Sequence, residues 1–381
     1  MAKEGYTYAD SGVHVDLGDK ASDFLYKASL ETYKNRDGKI GEIKKYGDRF
    51  FSVRAISIRG LKPDAVISGN TDGVGTKVEF GERTGNHRSM AFNLMAMLTE
   101  DAARFGAEPI YTTNILDVNE LNDENVETLR QLALGLIDAC AAAGVANLTG
   151  ELAELGKRVG GYGSFNYNWG GSVTWVADPN KLITGKDIRK DMPIVALMEP
   201  GFRSNGISSV RKILEFLHGQ EWHQALYKEG IKWGDAVLEP SVLYTKALLD
   251  MFGRYGEQEK TKIYGIAHIT GGGVPGKLGR LLEPTGLGAH LDALFEPCEM
   301  MLKLQEVDMP EKGPMQDKSA YQTWNMRNGM LIVAENPEEV IQIAKDNNIE
   351  AKLAGKTTDS GNIEIKSKGL HSNGKILDDW D

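Results

Sequence analysis

The segment from Ala65 to Lys77 constrains this chain more than any other. Ala65-Val66-Ile67 is a short apolar run typical of a buried strand, and it opens into a loop, Thr71 to Lys77, that is rich in glycine, threonine and charge. Glycines let backbone N–H groups approach an anion closely, because no Cβ stands in the way. Asp72 supplies a carboxylate suited to a hard cation, and Lys77 supplies a point charge for phosphate. The segment therefore predicts a site for the polyphosphate of a nucleotide.

Two plainer interpretations of this loop stay open. A glycine-rich turn often follows a strand without binding anything, and Lys77 alone could be a surface charge. The spacing of the glycines and the lysine matches neither the P-loop nor the dinucleotide-binding fingerprint. The combination of Asp72 and Lys77 around Gly73 and Gly75 nevertheless favours phosphate contact.

Strand-like and helix-like segments alternate along the chain, which predicts an α/β fold of the α+β type. A chain of 381 residues is too long for one small core, so two α/β domains are expected. The polar stretch Asp178-Pro179-Asn180-Lys181 is the best boundary, which gives an N-terminal domain over residues 1–178 and a C-terminal domain over residues 179–381. The segment Met309–Lys318 is loop-like, and the polar tail from Lys366 is expected to be mobile.

Composition excludes several classes of function. The net charge is −10, from 54 acidic and 44 basic residues, which argues against a nucleic-acid partner. Neither a signal-peptide core nor an apolar run of membrane-spanning length is present in the sequence. The two cysteines, Cys140 and Cys298, have no spacing that suggests a metal site or a disulfide framework. We expect a cytoplasmic protein without a membrane partner.

Three carboxylates in the first half stand near the ends of predicted strands or helices. Asp72 lies in the glycine loop, Asp101 on a helix with an apolar stripe from Met90, and Glu151 after a short apolar strand. In an open α/β sheet, ligands gather at the carboxyl ends of strands, so Asp72 and Glu151 would meet if their strands were parallel neighbours. Together with Asp101 they could hold Mg²⁺. Singly, Asp101 could be a solvated helix residue and Glu151 a helix N-terminal acid.

The second half carries two further polar loops. Thr270-Gly271-Gly272-Gly273 precedes a short apolar helix, and adjacent N–H groups at a helix start can bind an anion. Ser204-Asn205-Gly206 stands at the start of another predicted helix and could act only as its cap. His268 lies in an apolar strand, where a lone histidine is more often a satisfied core residue than a catalyst.

Taken in order, these motifs resemble the phosphoribosylformylglycinamidine cyclo-ligase family, also called aminoimidazole ribonucleotide synthetases. The matching segments are Tyr8–Val13, Ser68-Gly69 with Thr71–Lys77 around an inserted Asn70, Asp101, Gly106–Pro109, Gly150–Glu154, Ser204–Gly206, Pro240 with Tyr244, Ile266–Gly273, and Thr323–Asn325 with Gly329-Met330. So many motifs in the family's order make chance an inadequate explanation.

The resemblance implies a two-domain protein that forms a homodimer, in which first-domain strands close a barrel. It also implies that ATP phosphorylates the formyl amide oxygen of formylglycinamidine ribonucleotide before the imidazole ring closes. Lys77, Arg203 and His268 are then the catalytic candidates, and Asp72, Asp101 and Glu151 the ligands of Mg²⁺. The ATP phosphates are assigned to Gly73, Gly75, Thr76, Lys77, Gly271, Gly272 and Gly273, and the substrate to Ser204, Asn205 and Thr270.

The chain departs from the family pattern at three places. Arg203 stands where the family commonly has histidine, and arginine cannot act as a base because it is always protonated, although it could bind phosphate. Met326-Arg327-Asn328 replaces a small Cys-Gly-Val segment. The stretch from Gly38 to Phe51 keeps only part of the family's glycine- and phenylalanine-rich nucleotide loop. The alternative is therefore a non-catalytic or divergent ATP-binding relative, or another small-molecule kinase or synthetase of the superfamily.

Overall fold

The computed structural model describes residues 15–47 and 52–380. The motif Tyr8–Val13 and residues 48–51 of the expected nucleotide loop lie outside this range. The described chain has the mixed α/β fold that the sequence predicts, divided into two compact units. The first unit takes the described residues up to Pro63, with Ile67–Leu98 and Pro109–Trp175. The second takes Asp64–Val66, Thr99–Glu108 and the chain from Val176 onward, so it includes the end of the predicted Met90 helix.

The first unit is built around a four-stranded sheet. Its elements in chain order are α1 (Val15–Thr32), β1 (Ile43–Tyr46), β2 (Val53–Ile56), β3 (Val66–Gly73), α2 (Val78–Thr84), α3 (Met90–Ala103), β4 (Glu108–Val118), α4 (Val126–Ala143), β5 (Ala146–Glu154) and β6 (Tyr167–Ala177). The sheet has the strand order β3-β6-β4-β5, and β4 runs parallel to β5. Strands β1 and β2 form a separate antiparallel pair.

Alternating burial shows which face of this sheet is packed. Along β4, Ile110, Leu116 and Val118 are buried, whereas Ile115 between them is 54% exposed. On the edge strand β3, Ile67 is 50% exposed. Helix α4 buries the stripe that begins at Leu129, and it ends at Gly144, whose φ of +74° suits the left-handed C-terminal position. One face of the sheet thus joins the core of the unit, and the opposite face presents apolar side chains.

The second unit contains a seven-stranded sheet. Its elements are β7 (Pro193–Met198), α5 (Ile207–His218), β8 (Leu226–Lys228), β9 (Ile231–Lys232), α6 (Trp233–Val237), α7 (Thr245–Phe252), β10 (Ile263–His268), α8 (Gly273–Leu282), β11 (Gly288–Leu291), α9 (Glu299–Gln305), α10 (Asp317–Thr323), β12 (Asn328–Ala334), α11 (Pro337–Asp346), β13 (Ala351–Thr358), β14 (Ile363–Lys366) and β15 (Ile376–Leu377). The strand order is β10-β12-β7-β13-β11-β14-β15.

The direction of these strands positions the polar loops. Strand β12 is antiparallel to both β10 and β7, so β10 and β7 run in the same direction and end at the same edge of the sheet. Val195, Leu197, Met330 and Ile332 of the central strands pack with helices α7 and α11 in one buried cluster. Strands β7 and β10 coincide, within one residue, with the apolar sequence runs at residues 193–198 and 263–269.

The polar tail does not behave as expected. Asp317 accepts the backbone N–H groups of His371 (3.0 Å) and Ser372 (2.8 Å), and it accepts a hydrogen bond from the Ser367 hydroxyl. These bonds, with the β14–β15 pairing, hold the tail against α10. The tail is thus ordered against the second unit, because the buried carboxylate of Asp317, the first residue of α10, accepts three of its hydrogen bonds. Separately, no helix among the described residues is long and apolar enough to cross a membrane.

Candidate active site

The glycine loop of the first unit is anchored to its sheet. The Val74 N–H donates to Trp169 O of β6 (3.0 Å), and the Gly73 N–H donates to Asp72 Oδ1 (2.7 Å). A Cβ at Gly73 would stand 3.2 Å from Trp169 O, so a larger residue would push the two strands apart. Gly75 has a φ of +66°, and the space where its Cβ would lie is open. The backbone of this loop is therefore held by hydrogen bonds at Gly73 and Val74, and the space beside Gly75 is unfilled.

Lys77 is not a surface charge. It lies in the short helical turn Gly75–Lys77 before α2, and its side chain is 0% exposed. A buried ammonium is strongly destabilising unless compensating groups surround it. This burial excludes the plainer interpretation of Lys77, and its contact with ATP phosphate stays a prediction.

The two first-unit carboxylates do not lie together. Asp72 is on β3 and Glu151 is on β5, and these are the two edge strands of the sheet. Three inter-strand steps separate them, which is roughly 14 Å. The condition under which Asp72 and Glu151 would meet, that their strands are parallel neighbours, is not fulfilled. Among the residues that the structure describes, no three His, Cys, Asp or Glu side chains form a group that could hold a metal ion. Asp72 and Glu151 therefore do not meet at neighbouring strands of this sheet, and the assignment of Mg²⁺ to Asp72, Asp101 and Glu151 stays a prediction.

In the second unit, the predicted polar loops come together at one edge of the sheet. The loop after β7 carries Ser204 and Asn205, and the loop after β10 carries Thr270 and the three glycines. The Cβ position of Gly271 is 3.6 Å from Asn205 Nδ2. Gly273, with a φ of +60°, packs so tightly under the backbone of Tyr321 that a Cβ would collide with Tyr321 O. Helices α5 and α8 begin directly after these loops, so both helix N-termini face this edge.

Two atoms of this pair of loops lack partners. Ser204 Oγ and Asn205 Oδ1 are buried and make no hydrogen bond with any described residue. Buried polar atoms are nearly always hydrogen-bonded, because leaving them unpaired costs about 1–3 kcal/mol each. Both oxygen atoms can accept a hydrogen bond, and the Ser204 hydroxyl can also donate one. This is the arrangement expected where a polar ligand completes the hydrogen bonding.

Arg203, by contrast, faces the interior. Its side chain is 1% exposed, and it donates to Glu100 Oε2 (2.6 Å) and Glu199 Oε2 (3.0 Å). Burial alone would lower its pKa, but the two carboxylates outweigh burial and raise it. The expectation that Arg203 contacts substrate phosphate is corrected, because its charge is already neutralised by two buried acids. Sequence reasoning missed both Glu100 and Glu199, since neither stands in a recognisable motif.

The two acids are themselves held by the backbone of the segment before α7. Glu199 Oε1 accepts the Val242 N–H (3.2 Å), and Glu100 Oε1 accepts the Tyr244 N–H (2.8 Å). The Tyr244 hydroxyl donates to Met198 O (2.7 Å). Burial and the neighbouring Glu199 charge raise the Tyr244 pKa well above its ordinary value, so the hydroxyl stays protonated. Arg203, Glu100, Glu199 and Tyr244 thus form a buried hydrogen-bonded cluster that supports the polar loops structurally.

His268 extends this cluster toward the surface. Its Nδ1 donates to Asp101 Oδ1 (2.9 Å), and its Nε2 lies 3.0 Å from Glu100 Oε2, although the hydrogen is not well aligned with that oxygen. Burial would lower the His268 pKa, but the hydrogen bonds and the acidic neighbours raise it. The ring is buried, so the catalytic assignment of His268 is corrected to a positioning one: it orients Asp101, which is 31% exposed.

Comparison with known proteins identifies the family to which the chain is similar. Residues 55–168 match the family described as AIR synthase related protein, N-terminal domain, and residues 189–368 match its C-terminal domain. A phosphoribosylformylglycinamidine cyclo-ligase of Acetivibrio thermocellus is 30% identical, covering 94% of this chain and 99% of the relative. One of Alkaliphilus metalliredigens is 29% identical, covering 93% and 96%.

The fold also has solved neighbours. The crystal structure of thiamine-monophosphate kinase from Stenotrophomonas maltophilia K279a superposes with a TM-score of 0.61, at 11% identity, covering 91% of this chain and 97% of that one. At this identity the likeness concerns the fold alone. The family matches and the near full-length similarity to curated relatives are the stronger finding, and they establish that the chain belongs to the phosphoribosylformylglycinamidine cyclo-ligase family of AIR synthase related proteins.

Proposed function

We infer that this protein catalyses the ATP-dependent ring closure of formylglycinamidine ribonucleotide to aminoimidazole ribonucleotide in purine biosynthesis. One observation carries this inference. Ser204 and Asn205 lie beside the Thr270–Gly273 loop, and one buried polar atom of each has no hydrogen-bond partner among the described residues. This pair of loops is built from the motifs that the chain shares with its family. A phosphorylated, hydroxyl-rich ribonucleotide offers the donors and the anion that such a site requires.

The chemistry needs an activated amide oxygen. ATP transfers its γ-phosphoryl group to that oxygen and leaves as ADP. The amidine nitrogen then attacks the same carbon, the carbon–oxygen bond breaks, and inorganic phosphate departs as the ring forms and the nitrogen loses a proton. The protein's task is to position two anionic substrates in line. We assign the Asp72–Lys77 loop to ATP phosphates and the Ser204–Asn205 loop to the ribonucleotide. The Thr270–Gly273 loop, whose glycines the sequence assigned to ATP, is reassigned to the ribonucleotide because Gly271 lies beside Asn205.

A homodimer and a magnesium requirement belong to the same proposal. The open face of the first-unit sheet, with Ile67 and Ile115 about half exposed, suits a second copy of the chain that would remove both side chains from water. Mg²⁺ stays a prediction, with Asp72 its candidate contact beside the glycine loop. No step above is assigned to the ion. A cytoplasmic location likewise stays a prediction.

The test is turnover by the purified protein. With formylglycinamidine ribonucleotide and Mg-ATP, we expect ADP, phosphate and aminoimidazole ribonucleotide in equal amounts. A mixture without the ribonucleotide is the control for simple ATP hydrolysis. The presence of Arg203 at the family's histidine position motivates the second candidate, a divergent or non-catalytic relative. Nucleotide binding without any ring product would favour that candidate over the cyclo-ligase.

A further inference from the structure

Two cations that have no ion-pair partner among the described residues stand at one end of strand β7. Arg327 immediately precedes β12, and Lys352 is the second residue of β13. Both strands are antiparallel to β7 and flank it, so their first residues lie beside its carboxyl end. Two strand spacings of about 4.8 Å separate the backbones of β12 and β13 at this level. The long side chains of Arg327 and Lys352 can therefore serve one small ligand.

Arg327 is held in an unusual backbone conformation. Met326 and Arg327 are consecutive non-glycine residues in the left-handed region, with φ values of +45° and +67°. The Arg327 N–H donates to Asn325 Oδ1 (2.7 Å), and its carbonyl accepts the Glu199 N–H (3.1 Å). Such strain persists only where surrounding contacts enforce it, and it is concentrated at functional sites. Here it fixes the direction in which the Arg327 side chain leaves the chain.

The guanidinium of Arg327 has no counter-ion in the part of the chain that the structure describes. Its Nε is fully buried without a hydrogen-bond partner, and its side chain makes no hydrogen bond or ion pair with any residue that the structure describes. Arginine presents a rigid fork of donors that matches carboxylate and phosphate oxygens. Leaving the buried Nε–H donor of Arg327 without a hydrogen-bond acceptor costs free energy of folding. The geometry is therefore that of a site whose acceptor comes from outside the chain.

Lys352 also lacks an ion-pair partner among the described residues. Its ammonium lies 4.7 Å from the centre of the Phe295 ring, and no carboxylate of the described chain is within ion-pair distance. Burial, with repulsion from Lys368 and Arg327, lowers the pKa of Lys352 in spite of Glu296 and Glu350 nearby.

The acids around this group do not neutralise it. Glu296 is already bonded to Lys368 at 3.0 Å, which leaves Arg327 and Lys352 without a close partner in the described chain. The cations repel one another, so an anion between them would relieve the repulsion and fill the empty donor positions at once.

We propose that Arg327 and Lys352 form a binding site for a phosphate group, at the same sheet edge as the Ser204–Asn205 loop. Asn325 connects the two places, because its side chain donates to Gly201 O (2.9 Å) in that loop and accepts from Arg327. The phosphate is either the monoester of a substrate or free inorganic phosphate. Arg327 lies in the segment Met326-Arg327-Asn328, which departs from the family's Cys-Gly-Val motif.

The binding test uses the whole protein and inorganic phosphate alone. Isothermal titration at low ionic strength should show saturable binding, and Lys352→Gln and Arg327→Asn should each weaken it about ten-fold or more. Asparagine is chosen at Arg327 because it tolerates a left-handed backbone. The matched control is Lys356→Gln, on the same strand, whose ammonium is exposed and bonded to Asp191 (2.7 Å); its phosphate affinity should be unchanged.

Two results would overturn the site: the absence of saturable phosphate binding, or equal affinity in the parent and in both variants. Should Arg327→Asn fail to fold in thermal unfolding, Lys352→Gln decides alone. The source of the phosphate is then distinguished by kinetics. A raised KM for the ribonucleotide in the variants, with the KM for ATP unchanged, identifies the substrate's monoester. Lost phosphate binding with both KM values unchanged identifies free phosphate. Binding is measured without turnover, so its failure is separate from failure of the proposed reaction.

Discussion

Arg203 donates a 2.6 Å hydrogen bond to Glu100, and both side chains are closed to solvent. A second acid, Glu199, lies on the other side of the guanidinium at 3.0 Å. One cation thus balances two buried carboxylates, and the pair belongs to the interior of the second unit rather than to its ligand-facing surface. This relationship changes what a substitution at Arg203 should do.

Arg203→Met should destabilise the protein rather than weaken substrate binding alone. Removing one partner of a buried ion pair leaves uncompensated charge and costs about 3–5 kcal/mol. Urea unfolding measures the loss. Arg211→Met is the control on the neighbouring helix, where the distance to Glu215 is 3.9 Å and both groups are partly exposed, so less than about 1 kcal/mol is expected. A stable Arg203→Met protein with only a raised KM would contradict the structural role.

Asp72→Asn should abolish turnover with Mg-ATP and leave the fold intact. The substitution keeps the size of the side chain and removes the negative charge beside the glycine loop. Steady-state kinetics and a thermal unfolding curve measure the two effects. Asp123→Asn, an exposed aspartate before α4, serves as control and should keep the parent rate. Parent-like turnover of Asp72→Asn would remove this carboxylate from the proposed ATP site.

Substitutions at two glycines after β10 should have different effects, one on stability and the other on substrate binding. Gly273→Ala places a Cβ against Tyr321 O in a left-handed backbone, so a loss of about 2–4 kcal/mol is expected from strain and crowding. At Gly271 the Cβ position is open apart from Asn205 at 3.6 Å, and φ is not in the left-handed region. Gly271→Ala should therefore fold normally and raise the KM for the ribonucleotide. Equal stability losses in the two variants would contradict this division.

His87 should make the stability of the protein depend on pH. Burial lowers its pKa to about 4, and its Nδ1 lies 3.0 Å from the Tyr167 hydroxyl. Between pH 6.5 and about 4 the unfolded chain binds a proton that the folded chain does not, so stability falls as the pH falls through this window. The full effect is about 3 kcal/mol, of which about 2 kcal/mol is expected between pH 6.5 and 5.

His87→Gln supplies the test for this dependence. Unfolding free energies at pH 7 and pH 5 should differ less in the variant than in the parent, because glutamine does not titrate. An unchanged difference between the two proteins would assign the acid sensitivity to other groups.

The homodimer can be tested through the open sheet face of the first unit. Ile115→Lys puts a charge on the face where the partner is expected, so sedimentation velocity should show a shift from dimer to monomer. Leu226→Lys changes a more exposed apolar residue of the second unit and should leave the association state as it is. A monomeric parent protein would end the dimer proposal at the outset.

Several features followed from local pattern. Strand β7, strand β10 and helix α11 were predictable because apolar spacing, proline and glycine act over a few residues. The motifs identified the Ser204–Asn205 and Gly271–Gly273 loops separately, and only the structure places these loops side by side. The role of Arg203 was not predictable, because Glu100 is 103 residues away in sequence and the hydrogen bond depends on the packing of three elements.

The sequence by itself determined the α/β class, the family and the glycine loops, since these are written in periodicity and short motifs. Only the tertiary structure decided which charges meet. It put Asp72 and Glu151 on opposite edges of a sheet, because strand order does not follow chain order. It also buried Arg203 between two acids and left Arg327 and Lys352 without an ion-pair partner among the described residues. Charge pairing depends on distances across the fold, and those distances are set by how the strands and helices pack.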